Sequence, residues 1–260
     1  MKENRVFWIL LTLIIIMPIF DSCKKGEEDP FFSIYPRKAR VVADWDINEL
    51  DRYYIRTLDD GQKATINLQI TGGTKVKRTI DSTETVHDTT RIIDGEVIEA
   101  YYHFDKDGKM EYTFHYKLVH DSTVVDDQGT GNTYSKITTT TSRIIAKGTW
   151  NFLGRVDDYK NKERIALVYE TYNEDLTVNV LDQVTSDDGI LLSTNLTTTR
   201  RNVENKYANG QYAEVWELNM LKNKEIIMYR DIDRLINDQW DSTGVKYTEQ
   251  GYETVRLTRE

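Results

Sequence analysis

The chain contains very little cysteine and proline for its length. One cysteine occurs among 260 residues, so no disulfide can form within the chain and the core must be stable without one. Only three prolines are present, and no linker rich in proline, glycine or serine interrupts residues 39–260. The sequence therefore predicts one domain over residues 39–260 rather than two smaller ones.

An excess of positive charge is also missing. The formal net charge is −9 at pH 7, and no run of lysine or arginine forms a basic patch. An acidic surface gains nothing from the release of counterions from nucleic acid. We therefore expect no nucleic-acid partner.

The motifs that mark common catalytic and cofactor sites are absent from the sequence. No G-x-S-x-G, H-E-x-x-H, P-loop or G-x-G-x-x-G pattern occurs, and the four histidines lie on separate segments. We expect no catalytic residue, no metal ligand and no cofactor other than a covalent lipid. A hydrolase acting on glycans through two carboxylates inside the fold is the less favoured alternative.

The most specific signal lies at the start of the chain. An apolar run from Val6 to Phe20 follows a charged start, and as a helix it would rise about 22 Å, too short for a hydrocarbon core of about 30 Å. This pattern is typical of a secretory signal peptide, here residues 1–22. The segment Phe20-Asp21-Ser22-Cys23 resembles the lipobox of bacterial lipoproteins, in which the cysteine after the cleavage site is alkylated by diacylglycerol.

Lipidation would give the lone thiol of Cys23 a role. Two or three acyl chains, at about 0.8 kcal/mol per buried CH₂, anchor a protein stably in a membrane. The alternative is an unmodified thiol beside an ordinary signal peptide. The polar stretch at residues 24–30 predicts a solvated tether over residues 23–38. It resembles the export signal that sends lipoproteins of Bacteroidota to the cell surface. We expect an outer-membrane protein facing outward, with the periplasmic face as the alternative.

Period-2 alternation of apolar and polar residues predicts strands along most of the mature chain. Ile66, Leu68 and Ile70 share one face, and Met110, Tyr112, Phe114, Tyr116 and Leu118 share another. Turns are predicted at residues 71–73, 105–108 and 222–224, and a loop at residues 126–132. About a dozen antiparallel strands follow, with one helical pattern at residues 231–240. Because open sheet edges invite aggregation, we predict an all-β up-and-down barrel, with a two-sheet sandwich as the alternative.

Several stretches resemble a known class of β-barrel. Gly148-Thr149-Trp150 is similar to the Gly-x-Trp strand opening of lipocalin-like barrels, and residues 104–114 to a hairpin in the same kind of protein. Residues 23–45 and 148–168 resemble an uncharacterised lipocalin-like lipoprotein family of Bacteroidota. The resemblance implies a fold and a location in the cell envelope, and no reaction. We predict that Trp45, Trp150 and Trp216 belong to the core, each with its indole N–H near a backbone carbonyl.

The triplet Asp-Ser-Thr occurs three times. It begins at Asp81, Asp121 and Asp241, and Asp88-Thr89-Thr90 is close to it. These segments resemble the acceptor sequence for O-glycosylation of exported Bacteroidota proteins. The other interpretation is that Asp and Ser lie in turns, where their side chains bond nearby backbone groups. The candidate acceptors are Ser82, Thr89, Ser122 and Ser242.

Taken together, these features favour a lipid-anchored barrel that binds a small apolar or amphiphilic molecule or a glycan fragment. Small barrels hold one ligand or are filled by their own side chains. The alternative is a scaffold whose outer face meets another envelope protein, for which the threonine-rich segments at residues 135–145 and 193–201 are candidates.

Overall fold

The computed structural model describes residues 36–83, 88–125, 131–154, 163–208, 210–237 and 246–260. Within these ranges one short helix precedes eleven strands. The elements are α1 (Arg37–Val41), β1 (Ala43–Leu58), β2 (Lys63–Thr71), β3 (Lys75–Thr83), β4 (Asp88–Phe104), β5 (Lys109–Val125), β6 (Thr133–Leu153), β7 (Arg164–Thr185), β8 (Leu191–Lys206), β9 (Tyr212–Leu221), β10 (Glu225–Asn237) and β11 (Lys246–Thr258). The predicted all-β architecture is confirmed.

Eight of the strands close a ring. The antiparallel pairs run β1–β4, β4–β5, β5–β6, β6–β7, β7–β9, β9–β10, β10–β11 and β11–β1. At the other end of the strands, the β2–β3 hairpin is inserted between β1 and β4, and β8 pairs with the second half of β7. The predicted all-β barrel is confirmed, and the described strands form one antiparallel sheet rather than the two sheets of a sandwich.

The two ends of the barrel differ. At the end that carries α1 and the β4–β5 turn, which we call the closed end, the ring of pairs is complete. Towards the opposite end, which we call the open end, β9 leaves β10. The pairing between these two strands is confined to Ile226–Tyr229 on β10 and Glu217–Leu221 on β9, whereas β9 continues beside β7 as far as Tyr212. A seam between β9 and β10 therefore opens towards the open end.

The closed end is filled by the protein's own side chains. All eight ring strands contribute to one cluster of buried apolar residues, in which Trp45, Trp150 and Trp216 are the largest. The indole N–H groups of Trp45 and Trp150 donate to the carbonyl oxygens of Val41 and Asp105, over 2.7 Å and 3.2 Å. The core role predicted for these tryptophans is confirmed, although Trp216 bonds a carboxylate rather than a backbone carbonyl.

The predicted turns are confirmed, and the one local prediction that fails is the helix at residues 231–240. The turns at residues 71–73, 105–108 and 222–224 separate β2 from β3, β4 from β5 and β9 from β10, and Gly108 has the positive φ of 87° that a tight turn requires. Most of the loop predicted at residues 126–132 lies outside the described residues.

The helix predicted at residues 231–240 is wrong. Residues 231–237 belong to β10 and pair throughout with β11, and residues 238–240 lie outside the described part of the chain. Two interior positions on this strand are occupied by Arg230 and Arg234. Because charged residues stand where alternation predicts apolar ones, the period-2 pattern is interrupted. The remaining apolar residues, Leu235, Ile236 and Trp240, then have a spacing that also fits a helix.

Candidate functional site

Six charged residues form a ladder on the inner face of three neighbouring strands. Glu253 and Glu249 lie on the central strand β11, with an arginine directly opposite each of them on both β1 and β10. We call these residues the charge ladder: Arg52, Arg56, Arg230, Arg234, Glu249 and Glu253. Its two rungs are four residues apart on each strand, so both face the barrel interior.

The lower rung, formed by Glu253, Arg52 and Arg230, is the more deeply buried one. Oε1 of Glu253 accepts hydrogen bonds from Nε and Nη2 of Arg52 at 3.0 and 2.6 Å, and Oε2 accepts from Nε and Nη2 of Arg230 at 2.8 and 2.5 Å. The side chains of Arg52 and Arg230 are 19% and 13% exposed, and that of Glu253 is 2% exposed. One carboxylate thus holds two guanidinium groups, each through two donors.

The upper rung repeats this arrangement nearer to the open end. Oε1 of Glu249 accepts from Arg56 and Oε2 from Arg234, with shortest distances of 2.7 and 2.6 Å. Glu249 is as buried as Glu253, but its partners Arg56 and Arg234 are 32% and 41% exposed. The ladder therefore runs from the dry core towards solvent.

A third carboxylate, Glu214 of β9, bridges the seam to β10. Its Oε1 accepts from Nη1 of Arg230 at 2.7 Å and from the hydroxyl of Tyr212 at 3.0 Å. Its Oε2 accepts from the hydroxyl of Tyr169 at 2.9 Å and from Nε1 of Trp216 at 3.2 Å. The guanidinium of Arg230 also lies over the Trp216 ring, 4.7 Å from its centroid. Side-chain bonds thus join β9 to β10 near the point where their backbone pairing ends.

A small cavity lies beside these groups. It measures about 40 Å³, and its wall consists of Arg52, Arg230, Arg234, Glu214, Glu253, Trp216 and the tyrosines Tyr102, Tyr112, Tyr169, Tyr172 and Tyr212. The hydroxyls of Tyr102, Tyr112 and Tyr172 have no hydrogen-bond partner among the described residues. The space suits a few waters or one small polar group. It is a polar recess and is too small to enclose a whole apolar molecule.

Burial and charge fix the protonation of these groups. Burial alone would raise the pKa of Glu253, but the guanidinium groups of Arg230 and Arg52 outweigh it and lower the pKa to about 2. Burial raises the pKa of Tyr102, Tyr112 and Tyr172 above its ordinary value. At neutral pH the carboxylate is therefore ionised and the three hydroxyls keep their protons as hydrogen-bond donors.

The carboxylate oxygens beside the recess are already occupied by hydrogen bonds. Each oxygen of Glu214 and Glu253 already accepts at least one hydrogen bond, and the low pKa of Glu253 removes it as a proton donor. A glycan hydrolase needs one carboxyl that stays protonated near neutral pH. Glu253 therefore does not supply the protonated carboxyl that such a hydrolase requires.

A larger depression lies on the outside of the barrel. It measures about 530 Å³ and lies where the β2–β3 turn, at Gly72 and Gly73, meets the bulge of β4 at Val97 and Ile98. The carboxylates of Asp46 and Glu99 are on its wall. We regard the interior recess as the better candidate site because it gathers buried charges and unpartnered hydroxyls, whereas the depression is a broad surface feature.

The residues singled out in the sequence are not part of this site. Cys23 and Ser242 lie outside the described residues, and for Thr89 only the backbone is described, in β4 opposite Ser82 of β3. Ser122 is exposed on β5, where its hydroxyl donates to the carbonyl of Lys136 at 3.2 Å. Both Ser82 and Ser122 lie in strands, so the turn interpretation does not hold for these two triplets.

The histidines do not form a metal site in the described part of the chain, where no group of three or more metal-binding side chains occurs. His103 and Asp44 face each other on the outer surface, with Nδ1 and Oδ1 2.6 Å apart. In the described ranges, no helix has the length and apolar character needed to cross a membrane.

The charge ladder was not predicted from the sequence, although a signal for it exists. Arg52 and Arg56, Arg230 and Arg234, and Glu249 and Glu253 are three pairs with the same spacing of four. On a strand an even spacing keeps both side chains on one face. Three such pairs, on the first strand and the last two strands of a barrel, would have indicated ion pairs inside it.

Comparison of the chain with protein-family models, with curated proteins and with solved structures gave no match.

Proposed function

We propose that this protein is a lipid-anchored component of the bacterial outer membrane whose barrel binds a small amphiphilic molecule or a glycan fragment. The lipid would be attached at Cys23, and residues 23–38 would tether the barrel to the membrane. The resemblance of residues 20–23 to a lipobox and of the following residues to a surface-export signal supports this location, with the barrel facing outward.

The observation that carries the binding function is the polar recess inside the barrel. Proteins bury several charges only at a cost, so polar clusters inside a small barrel call for a reason beyond packing. Here three tyrosine hydroxyls without partners and two partly satisfied arginines surround an open space of about 40 Å³. A polar group of a ligand would complete their hydrogen bonds.

The size of the recess favours partial insertion over full enclosure. The closed end is filled by aromatic side chains such as Phe104, Phe114 and Trp150. A ligand would therefore place one polar group beside the lower rung and leave the rest of the molecule in the seam between β9 and β10. This favours the amphiphile and the glycan fragment over a wholly apolar cargo.

Native mass spectrometry tests the proposal directly. The full chain, purified from membranes and released from detergent in the spectrometer, is compared before and after incubation with an extract of the source envelope. We expect a discrete added mass that survives gentle activation. If only the mass of the lipidated polypeptide is found at saturating extract, the binding function is refuted.

A second candidate function rests on strand β8. This strand is exposed along most of its length, pairs with β7 on one side, and carries Leu191, Leu192 and Leu196 as exposed side chains. Such a surface suits contact with another envelope protein. Cross-linking from a photoreactive residue placed at position 196 should then capture one defined partner, and a matched residue at exposed position 92 should not.

A further inference from the structure

Every vacant hydrogen-bonding group in the recess can donate a hydrogen bond. Nε and Nη2 of Arg52 are used by Glu253, and Nε and Nη2 of Arg234 by Glu249, which leaves Nη1 of both guanidinium groups without a partner among the described residues. The hydroxyls of Tyr102, Tyr112 and Tyr172 are vacant as well. In contrast, every carboxylate oxygen on the wall is already bonded.

The wall of the recess also carries a net positive charge. Three arginines stand against two glutamates on the wall itself, so it carries one net positive charge. The upper rung adds one arginine, Arg56, and one glutamate, Glu249, because Arg234 is already on the wall. The net charge around the recess therefore stays at plus one. Glu174 of β7 and Arg78 of β3, which influence Tyr172 and Tyr116, offset each other.

We infer that the recess takes the oxyanion of its ligand, a carboxylate or a phosphate, held by Arg52 and Arg234 together with the hydroxyls of Tyr102, Tyr112 and Tyr172. This inference rests on the proposed binding function and names the chemical class of the group that is bound. A group of three to five heavy atoms with two or more acceptor oxygens fits a space of about 40 Å³ and matches the vacant donors.

The charge of the ligand is tested with probes that share one alkyl chain. Octanoate, 1-octanol and octyltrimethylammonium are titrated into the full chain in maltoside micelles by calorimetry, with empty micelles as the blank. We expect octanoate to bind at least about tenfold more tightly than the other two, because a hydrogen bond to a charged group is worth about one decade or more in affinity.

Acetate and inorganic phosphate separate the two possible sources of the oxyanion. If they bind as tightly as octanoate, the ligand is a free ion, and if octanoate is much tighter, it is the head group of a larger molecule. Both results support the inference. Equal or tighter binding of 1-octanol or octyltrimethylammonium would overturn it, as would the absence of saturable heat for every anion at about 10 mM.

Tyrosine variants locate the site without disturbing the fold. Because the hydroxyl of Tyr172 has no partner in the protein, Tyr172→Phe should leave the unfolding midpoint unchanged and weaken octanoate binding about tenfold. Tyr112→Phe should behave in the same way. Tyr229→Phe removes a hydroxyl bonded to Asp231 on the outer face and should leave the affinity unchanged.

The oxyanion inference and the proposed binding function can be refuted by different results. A neutral or cationic cargo recovered from the envelope extract would overturn the oxyanion inference while the binding function stands. Absence of any cargo would refute the binding function itself.

Discussion

Replacement of Glu253 by glutamine tests whether the lower rung is a buried ion-pair triad. Glutamine keeps the shape of the side chain but removes the carboxylate paired with Arg52 and one of the two carboxylates paired with Arg230. Both arginines are mostly buried, at 19% and 13% exposed, so neither gains much hydration when the carboxylate is lost. Removal of one partner from a buried ion pair typically costs about 3–5 kcal/mol.

The pKa of Glu253 gives a second way to calculate the stability cost of Glu253→Gln. It falls from an ordinary 4.5 to about 2 in the folded chain. A shift of this size corresponds to about 3 kcal/mol of stability at pH 7, in agreement with the first route. In a domain of this length the loss should lower the melting temperature by roughly 6–12 °C.

Glu249→Gln is the matched control. Glu249 has the same two-arginine environment on the same three strands, but Arg56 and Arg234 are 32% and 41% exposed and can be hydrated when the carboxylate is lost. We expect a cost of about 1 kcal/mol. Urea unfolding followed by tryptophan fluorescence measures both variants. Equal costs for the two substitutions would refute the argument from burial.

Acid provides an independent check on the same residue. Because its folded pKa is depressed, Glu253 contributes stability that is present above the unfolded pKa and lost as the pH falls from 4.5 towards 2. The gap between the wild-type chain and Glu253→Gln should therefore shrink from about 3 kcal/mol at pH 7 to about half of that at pH 3. A gap that is constant over this range would show that the charge of Glu253 is not its source.

Three further predictions concern other parts of the chain. A Cβ at Gly251 would lie 2.0 Å from the carbonyl oxygen of Tyr53, so Gly251→Ala should destabilise the barrel by several kcal/mol in urea unfolding, whereas Gly154→Ala, with open space around its Cβ, should have little effect. Cys23→Ser should abolish incorporation of labelled palmitate and release the protein from the membrane fraction; retention of label would refute lipidation at this residue. Glycopeptide mass spectrometry should find a sugar on exposed Ser122 that Ser122→Ala removes, and a bare peptide would refute that modification.

The fold follows from the sequence wherever one face of a strand is apolar. Ile66, Leu68 and Ile70 alternate with polar residues and are buried, as are Met110 and Phe114. Alternation of this kind fixes the face of a strand before its neighbours are known. The number of strands and the barrel architecture follow from the same pattern and from the turns between strands.

The site could not be predicted in the same way because its inner residues are polar. Arg230, Arg234 and Glu249 occupy positions that face the interior, and the alternation rule assigns such residues to the surface. Only the pairing of β11 with both β1 and β10 brings these charges opposite each other, and strand order was not encoded in any local pattern. The wrong prediction of a helix at residues 231–240 and the failure to predict the charge ladder therefore have the same cause, which is the presence of charged residues at interior positions.

The charge ladder also fixes the register of the strands, and this role has to be compared with ligand binding as an explanation of the buried polar groups. A slip of β11 by one residue would move Glu253 to the outer face, leave Arg52 without its carboxylate partner and leave Arg230 with Glu214 alone, so the ladder opposes wrong registers. One rung is enough for this purpose, since each rung alone spans all three strands. The second rung strengthens this effect, but the three vacant hydroxyls of Tyr102, Tyr112 and Tyr172 add nothing to it. An apolar side chain at Tyr172 would pack without an unsatisfied hydroxyl, so the register alone does not account for the vacant donors, whereas the proposed ligand would bond them.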